Sequence, residues 1–152
     1  MLLHKNSQKR KYGRGVYFLT CNTYRRYQYF KNEQKCKIWA DHLRMSKKIK
    51  KFDLYAFCLN YDHFHLLLSP DEDIANISEI MRSLKTNSSR QINSEIREKF
   101  QRQKSYHDHF IRDADYKNHW YYTRDNYRKH LPENWKYHSY PLREKLLDSV
   151  SV

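Results

Sequence analysis

At 152 residues the chain has the length of one ordinary domain, and its formal charge of +13, from 30 Lys and Arg against 17 Asp and Glu, makes polyanions the leading class of partner. Fourteen Tyr, seven Phe and three Trp beside two Gly and three Pro exclude a disordered tail or linker. No run approaches the roughly 20 apolar residues that cross a bilayer, no apolar signal core opens the chain, and Cys21, Cys36 and Cys58 form neither a disulfide framework nor a CxxC zinc pattern, so a reduced, cytoplasmic protein without membrane contact is expected.

Residues 1–14 carry Lys9, Arg10, Lys11 and Arg14 with almost nothing to bury, and read as a flexible basic arm ahead of a single domain over 15–152. Val16–Cys21 is a run of strand formers. From Glu33 to Lys50, the apolar residues Ile38, Trp39, Leu43, Met45 and Ile49 recur at helical spacings between Lys and Arg, which predicts a first helix with a wet basic face. Phe52–Leu59 and His63–Ser69 read as two strands of a hairpin, joined by the turn formers Asn60-Tyr61-Asp62. Ile74, Ile77, Ile80, Met81 and Leu84 predict a second helix from about 74 into the nineties, approached by Pro70 and the acidic run Asp71–Asp73. Tyr106–Ile111 reads as an edge strand and Asp115–Tyr127 as a third helix, which Pro132 stops by Leu131. The order β-α-β-β-α-β plus a C-terminal helix predicts an α+β, ferredoxin-like two-layer sandwich with an antiparallel sheet. Its first two helices should cover one face, leaving the other for the last helix or a ligand. That topology alone selects no function.

The most informative local feature is His63-Phe64-His65. Period two makes the histidines neighbours on one face while Phe64, Leu66 and Leu68 face the other, so two imidazoles could chelate one divalent ion from a strand anchored in the core. One exposed and one hydrogen-bonded histidine is the bland alternative. Asp62 either orients an imidazole or caps the turn. In the third helix, Tyr122 and Asn126 share a face with His119 one turn earlier, and Tyr121 with Asp125 forms the adjacent pair. Each pair offers a phenol next to an oxygen ligand. A phenol, with an ordinary pKa of about 10, needs nearby cations to become a nucleophile. Tyr116, Trp120 and Tyr127 read as a packing stripe.

Gly15–Thr20, Tyr24-Arg25-Arg26 before Tyr29-Phe30, and Ala56–Leu68 together resemble the single-tyrosine HUH transposases, in particular their REP-associated, IS200-like branch. The resemblance continues through Ser83-Leu84-Lys85, Asp108–Arg112, Tyr122–Asn126 and Trp135–Tyr140, from about residue 15 to 140. It implies metal ligation by His63 and His65, a nucleophile at Tyr122 rather than Tyr121, and Asn126 completing the metal shell, with Asp125 as rival ligand. The chain departs from the family where Asn60-Tyr61-Asp62 replaces Met-Pro-Asn before the first histidine and where Tyr127 replaces the Pro that commonly follows Asn126.

The implied activity is metal-dependent cleavage and transfer of single-stranded DNA next to a hairpin, through a 5'-phosphotyrosine bond, with Mg2+ or Mn2+ as cofactor. Arg10, Lys11, Arg14, Arg25, Arg26, Lys85, Arg90 and Arg112 are candidate phosphate contacts, and the tyrosines candidate stacking platforms for unpaired bases. His109, His119 and Lys117 are candidates for proton movement or phosphate neutralisation. On the same resemblance, a monomer acting on nucleoid DNA is expected before a homodimer. The rivals are a noncatalytic nucleic-acid-binding module and a hydrolytic nuclease in which water, not Tyr122, attacks phosphate.

Overall fold

The computed structural model describes residues 15–96, 107–112 and 116–138. The basic arm, with Arg10, Lys11 and Arg14, lies outside them. The elements run β1 (Tyr17–Asn22), α1 (Glu33–Lys50), β2 (Asp53–Leu59), β3 (His63–Ser69), α2 (Ile77–Ile96), β4 (His107–Arg112), α3 (Tyr116–Asp125) and α4 (Tyr127–His130). Two short 3-10 turns, Tyr24–Arg26 and Tyr29–Lys31, connect β1 to α1. The four strands pair antiparallel in the order β2-β3-β1-β4, the ferredoxin-like arrangement that the element order predicts.

Strand alternation divides the core in two. Tyr17, Leu19, Cys21, Phe57, Leu59, Phe64, Leu66 and Leu68 pack against Trp39 and Leu43 of α1 and Ile80, Met81 and Leu84 of α2. The rings of Trp39 and Phe64 lie 5.0 Å apart at the centre of this layer. On the other face, Phe18, Ala56 and Leu67 form a smaller cluster against Trp120 of α3. The pairing of β2 with β3 is irregular between Leu54 and Ala56, and the intervening Tyr55 carbonyl accepts a hydrogen bond from Trp120 Nε1 at 3.1 Å. An irregularity in the ladder thus frees a backbone acceptor for the helix.

Both long helices begin on an asparagine. Asn32 Oδ1 accepts from Lys35 N at the start of α1. Asn76 and Glu79 form a reciprocal capping box, Oδ1 accepting from Glu79 N and Oε1 from Asn76 N. That box corrects the expected start of α2. Ile74 continues the apolar period but precedes the cap, sits in the turn closed by its own N–H on the Asp71 carbonyl, and is 50% exposed. Met45 and Ile49 are likewise exposed, because they project from α1 away from the side that carries Trp39 and Leu43. The expected third helix is split at Asn126 into α3 and α4.

The chain then returns along β2. Leu59 N donates to the Tyr137 carbonyl, the Leu59 carbonyl accepts from Trp135 Nε1, and Tyr137 Oη donates to Glu33 at 2.9 Å. This strap covers an otherwise open sheet edge. His138, opposite Cys58, is fully buried, and one ring nitrogen donates to the Trp135 carbonyl. The three cysteines are buried free thiols, as their spacing suggests. None of the described helices is long and apolar enough to cross a membrane.

Two outcomes follow from this packing. Lys51 ends α1 in the left-handed region at φ 58°. Lys51→Gly should therefore stabilise the fold by about 1 kcal/mol, read as a rise of roughly 2–4 °C in melting temperature. Burial pushes the His138 imidazole down to about 4, against the opposing hydrogen bond to Trp135 and with help from Arg128. The unfolded chain takes up that proton near pH 6.5 and the folded chain does not, so His138's contribution is constant above pH 6.5 and is lost as pH falls towards about 4. Thermal melts of His138→Gln should fall less steeply than wild type across that window.

Candidate active site

β3 places His63 and His65 on the face away from α1 and α2, between β1 and β2. Their ring centroids are 4.9 Å apart. In the strand register His65 lies between Thr20 on one side and Cys58 on the other, and Asn22 faces His63. Each imidazole is held through Nδ1. His63 Nδ1 lies 2.6 Å from Asp62 Oδ1, and the other carboxylate oxygen accepts from Arg26 Nε at 3.1 Å. His65 Nδ1 lies 2.9 Å from Thr20 Oγ1. Burial works against the Asp62 carboxylate, but the hydrogen bonds from His63 and Arg26 outweigh it and hold its pKa below the ordinary value.

Holding Nδ1 leaves Nε2 as the atom each ring could offer to a cation. His65 is 4% exposed, and its Nε2 is buried with no hydrogen-bond partner among the described residues. Burial, reinforced by His63, Arg26 and Lys129, pushes its pKa down to about 3, so the ring is neutral and its lone pair intact at physiological pH. Two imidazoles with fixed Nδ1 atoms fit a divalent cation. Among the described residues, no three His, Cys, Asp or Glu side chains converge, so further ligands would have to come from amide oxygens, substrate or water.

Tyr122 reaches this face from α3. Its ring meets His65 edge-on at 5.5 Å and Phe18 edge-on at 5.9 Å. Phe18 also stacks on His65 at 5.3 Å and on His119 at 4.6 Å, one helical turn before Tyr122. One β1 side chain therefore spaces the histidine strand from the tyrosine helix. Tyr122 is 42% exposed, which distinguishes it from a packing residue. Lys129 Nζ sits 4.7 Å from the centre of its ring, a cation–π contact. Tyr121 is as exposed but leans edge-on against Trp120 instead. Asn126, at the break between α3 and α4, is 3% exposed, and its Oδ1 accepts from Asn60 Nδ2 at 2.9 Å. Asp125 is half-buried at the end of α3.

The candidate phosphate contacts divide by position. Arg26 reaches Asp62 beside His63, and Arg25 and Arg26 adopt consecutive left-handed conformations, φ 54° and 57°, which cost side-chain-bearing residues about 1–2 kcal/mol each. Arg25 covers the Tyr24 ring at 5.1 Å, and Tyr24, Tyr27 and Tyr29 form an edge-to-face series in which Tyr27 is half-exposed. Arg26 is engaged by Asp62. Lys85 and Arg90 belong to α2, in the opposite layer, and Arg112 pairs with Tyr17 at the end of β1 remote from His63. His109 pairs with Thr20 on the β4 side. Thr20, Phe18, Asn60 and Lys129 are site residues that motif spacing misses. The first two depend on a pairing across some 45 residues. Lys129 lies on the far side of a helix break.

Residues 13–119 match the family described as "Transposase IS200 like". This stretch includes the histidine strand and ends before Tyr122. No curated protein matches. Among solved structures, the chain is similar to a REP-associated tyrosine transposase bound to a REP hairpin, with TM-score 0.63 and 20% identity over 91% of this chain and 85% of that one. It is also similar to a candidate transposase from Deinococcus radiodurans R1, with TM-score 0.56 and 19% identity over 77% of this chain and 88% of that one. At these identities the two structures bear on the fold, and the family match covers well over half of the sequence. The chain, with its HxH strand facing a helix-borne tyrosine, belongs to the IS200-like transposase family.

Proposed function

We propose that the protein cleaves and rejoins single-stranded DNA beside a hairpin, with Tyr122 as nucleophile and Mg2+ or Mn2+ at His63 and His65. The observation that carries this reading is an exposed tyrosine ring in contact with a histidine whose buried Nε2 has no hydrogen-bond partner among the described residues. A bound divalent cation would withdraw charge from a scissile phosphate oxygen and orient the phosphorus. His63 and His65 Nε2 would hold it, with an amide oxygen from the Asn60–Asn126 pair.

The residues of the chain then divide the work. Tyr122 Oη attacks phosphorus in line as its proton leaves, the P–O3' bond breaks, and the departing 3'-oxygen is protonated. DNA is left joined to the protein through a 5'-phosphotyrosine bond. Attack by a second 3'-hydroxyl reverses these bonds, restoring the phenol and joining two strands without hydrolysis. Lys129 holds a cation over the Tyr122 ring, where it can meet a phosphate brought to that ring, and Phe18 keeps the Tyr122 and His65 rings in mutual contact. Arg25 and the Tyr24–Tyr27–Tyr29 series present a cation beside the exposed Tyr27 ring and two partly buried ones, the surface chemistry that holds a phosphate and stacks an unpaired base. The hairpin preference draws on the DNA in the similar structure. We further propose that the protein acts as a monomer on nucleoid DNA in the cytoplasm.

Incubating the protein with labelled hairpin-containing and unstructured single strands in Mg2+ or Mn2+ tests this reading. A denaturation-resistant protein–DNA adduct is expected. It should fall by at least about 10³-fold in Tyr122→Phe and persist in Tyr121→Phe. His63→Ala and His65→Ala should impair cleavage more than binding, and binding should weaken steeply with salt. Cleavage that survives Tyr122→Phe without any adduct means that water is the nucleophile. Binding of a strand by wild type with neither cleavage nor adduct, under both metals, means a noncatalytic module.

A further inference from the structure

The hairpin turn ahead of His63 holds a side chain that the roles above leave unexplained. Asn60 is 2% exposed, its Nδ2 donates to Asn126 Oδ1, and its own Oδ1 is buried with no hydrogen-bond partner among the described residues. An acceptor stripped of water and left unpaired is costly, and it calls for a specific reason such as a cation. Asn60 N donates to the His63 carbonyl at 2.7 Å, so the two residues face each other across the turn and extend their side chains from the same face of the hairpin. His65 Nε2, on the same face, is likewise buried with no hydrogen-bond partner among the described residues. An acceptor and an imidazole lone pair, each more than nine-tenths buried and unpaired, thus flank His63.

Resting on the metal reading above, we infer that Asn60 Oδ1 supplies the oxygen ligand of the His63–His65 cation site, while Asn126 is the positioning residue that holds the Asn60 amide. The bond from Nδ2 to Asn126 sets the amide's rotation and leaves Oδ1 on the other side of the amide from Asn126. Hard divalent ions accept amide oxygens readily. All three protein ligands then come from one hairpin, 60–65, and the tyrosine helix contributes a clamp. In this arrangement α3 and α4 can shift with the DNA without dismantling the ion site.

Mn2+ titration of the purified protein without DNA, by calorimetry and by loss of the free-ion electron paramagnetic resonance signal, tests the inference. Asn60→Asp puts a carboxylate at the ligating atom and should tighten Mn2+ binding roughly tenfold. Asn126→Asp keeps an acceptor for Asn60 Nδ2 and should gain several-fold less. An equal or larger gain in Asn126→Asp overturns the inference and assigns the ligand to Asn126. His63→Ala and His65→Ala should abolish the binding. If both bind Mn2+ as wild type does, or if wild type binds none, the metal reading itself falls, and the inference with it. Should Asn60→Asp fail to fold, side-chain amide NMR of the wild-type protein decides: Mg2+ must shift the Asn60 NH2 pair more than that of Asn126, and the reverse order overturns the assignment.

Discussion

Thr20 Oγ1 lies 2.9 Å from His65 Nδ1, and this contact ties the chemistry to the sheet register. The partners are 45 residues apart and meet because β1 is inserted between β3 and β4, with Thr20 opposite His65. A shift of one residue would turn His63 and His65 into the layer of Trp39 and Phe57 and bring Phe64 to the tyrosine side. The full burial of Phe64, Leu66 and Leu68 guards against that slip. Hydrophobic packing on one face of β3 thereby holds the imidazoles in place on the other.

The site combines a dry half and a wet half. His65, Asn60 and Asn126 are buried, and the resulting desolvation keeps the imidazole uncharged and strengthens its interaction with any cation. Tyr122, Tyr27, Arg25 and Lys129 lie at the solvent boundary, where a polymer can reach them. Asp62 joins the halves. It receives Arg26 from the wet side and orients His63 towards the dry one. An exposed ion pair of this kind adds under about 1 kcal/mol of stability, so its importance is geometric. The consecutive left-handed Arg25 and Arg26 are part of that geometry, since the tight turn delivers Arg26 to Asp62 while Arg25 remains over Tyr24.

Much of this was legible in the residues. The span of α1 follows from a helical apolar period between Glu33 and Lys50, and the 60–63 turn follows from residues that favour turns between two strand-forming runs. The alternation of His63, Phe64 and His65 directly implies the two-faced strand. The capping box at Asn76 outweighed the apolar period that put Ile74 in α2, because a satisfied helix end constrains the backbone more than one apolar side chain does. The break at Asn126 was also hidden, since its helical neighbours continue the pattern on both sides. Phe18, Thr20 and Asn60 entered the site only through tertiary contacts, which no local period encodes. The family match ends at residue 119, so the tyrosine rests on geometry and on the motif resemblance.

The account centres on one bond, between the phenol oxygen of Tyr122 and a 5'-phosphate. Trypsin digestion of the protein recovered from reaction with a cleavable single strand, followed by nuclease trimming and fragmentation of the 118–124 peptide, locates that bond by mass. The account predicts that the nucleotide remnant sits on Tyr122 and is absent from its neighbour Tyr121. A remnant on Tyr121, or cleaved DNA with an unmodified peptide, contradicts it.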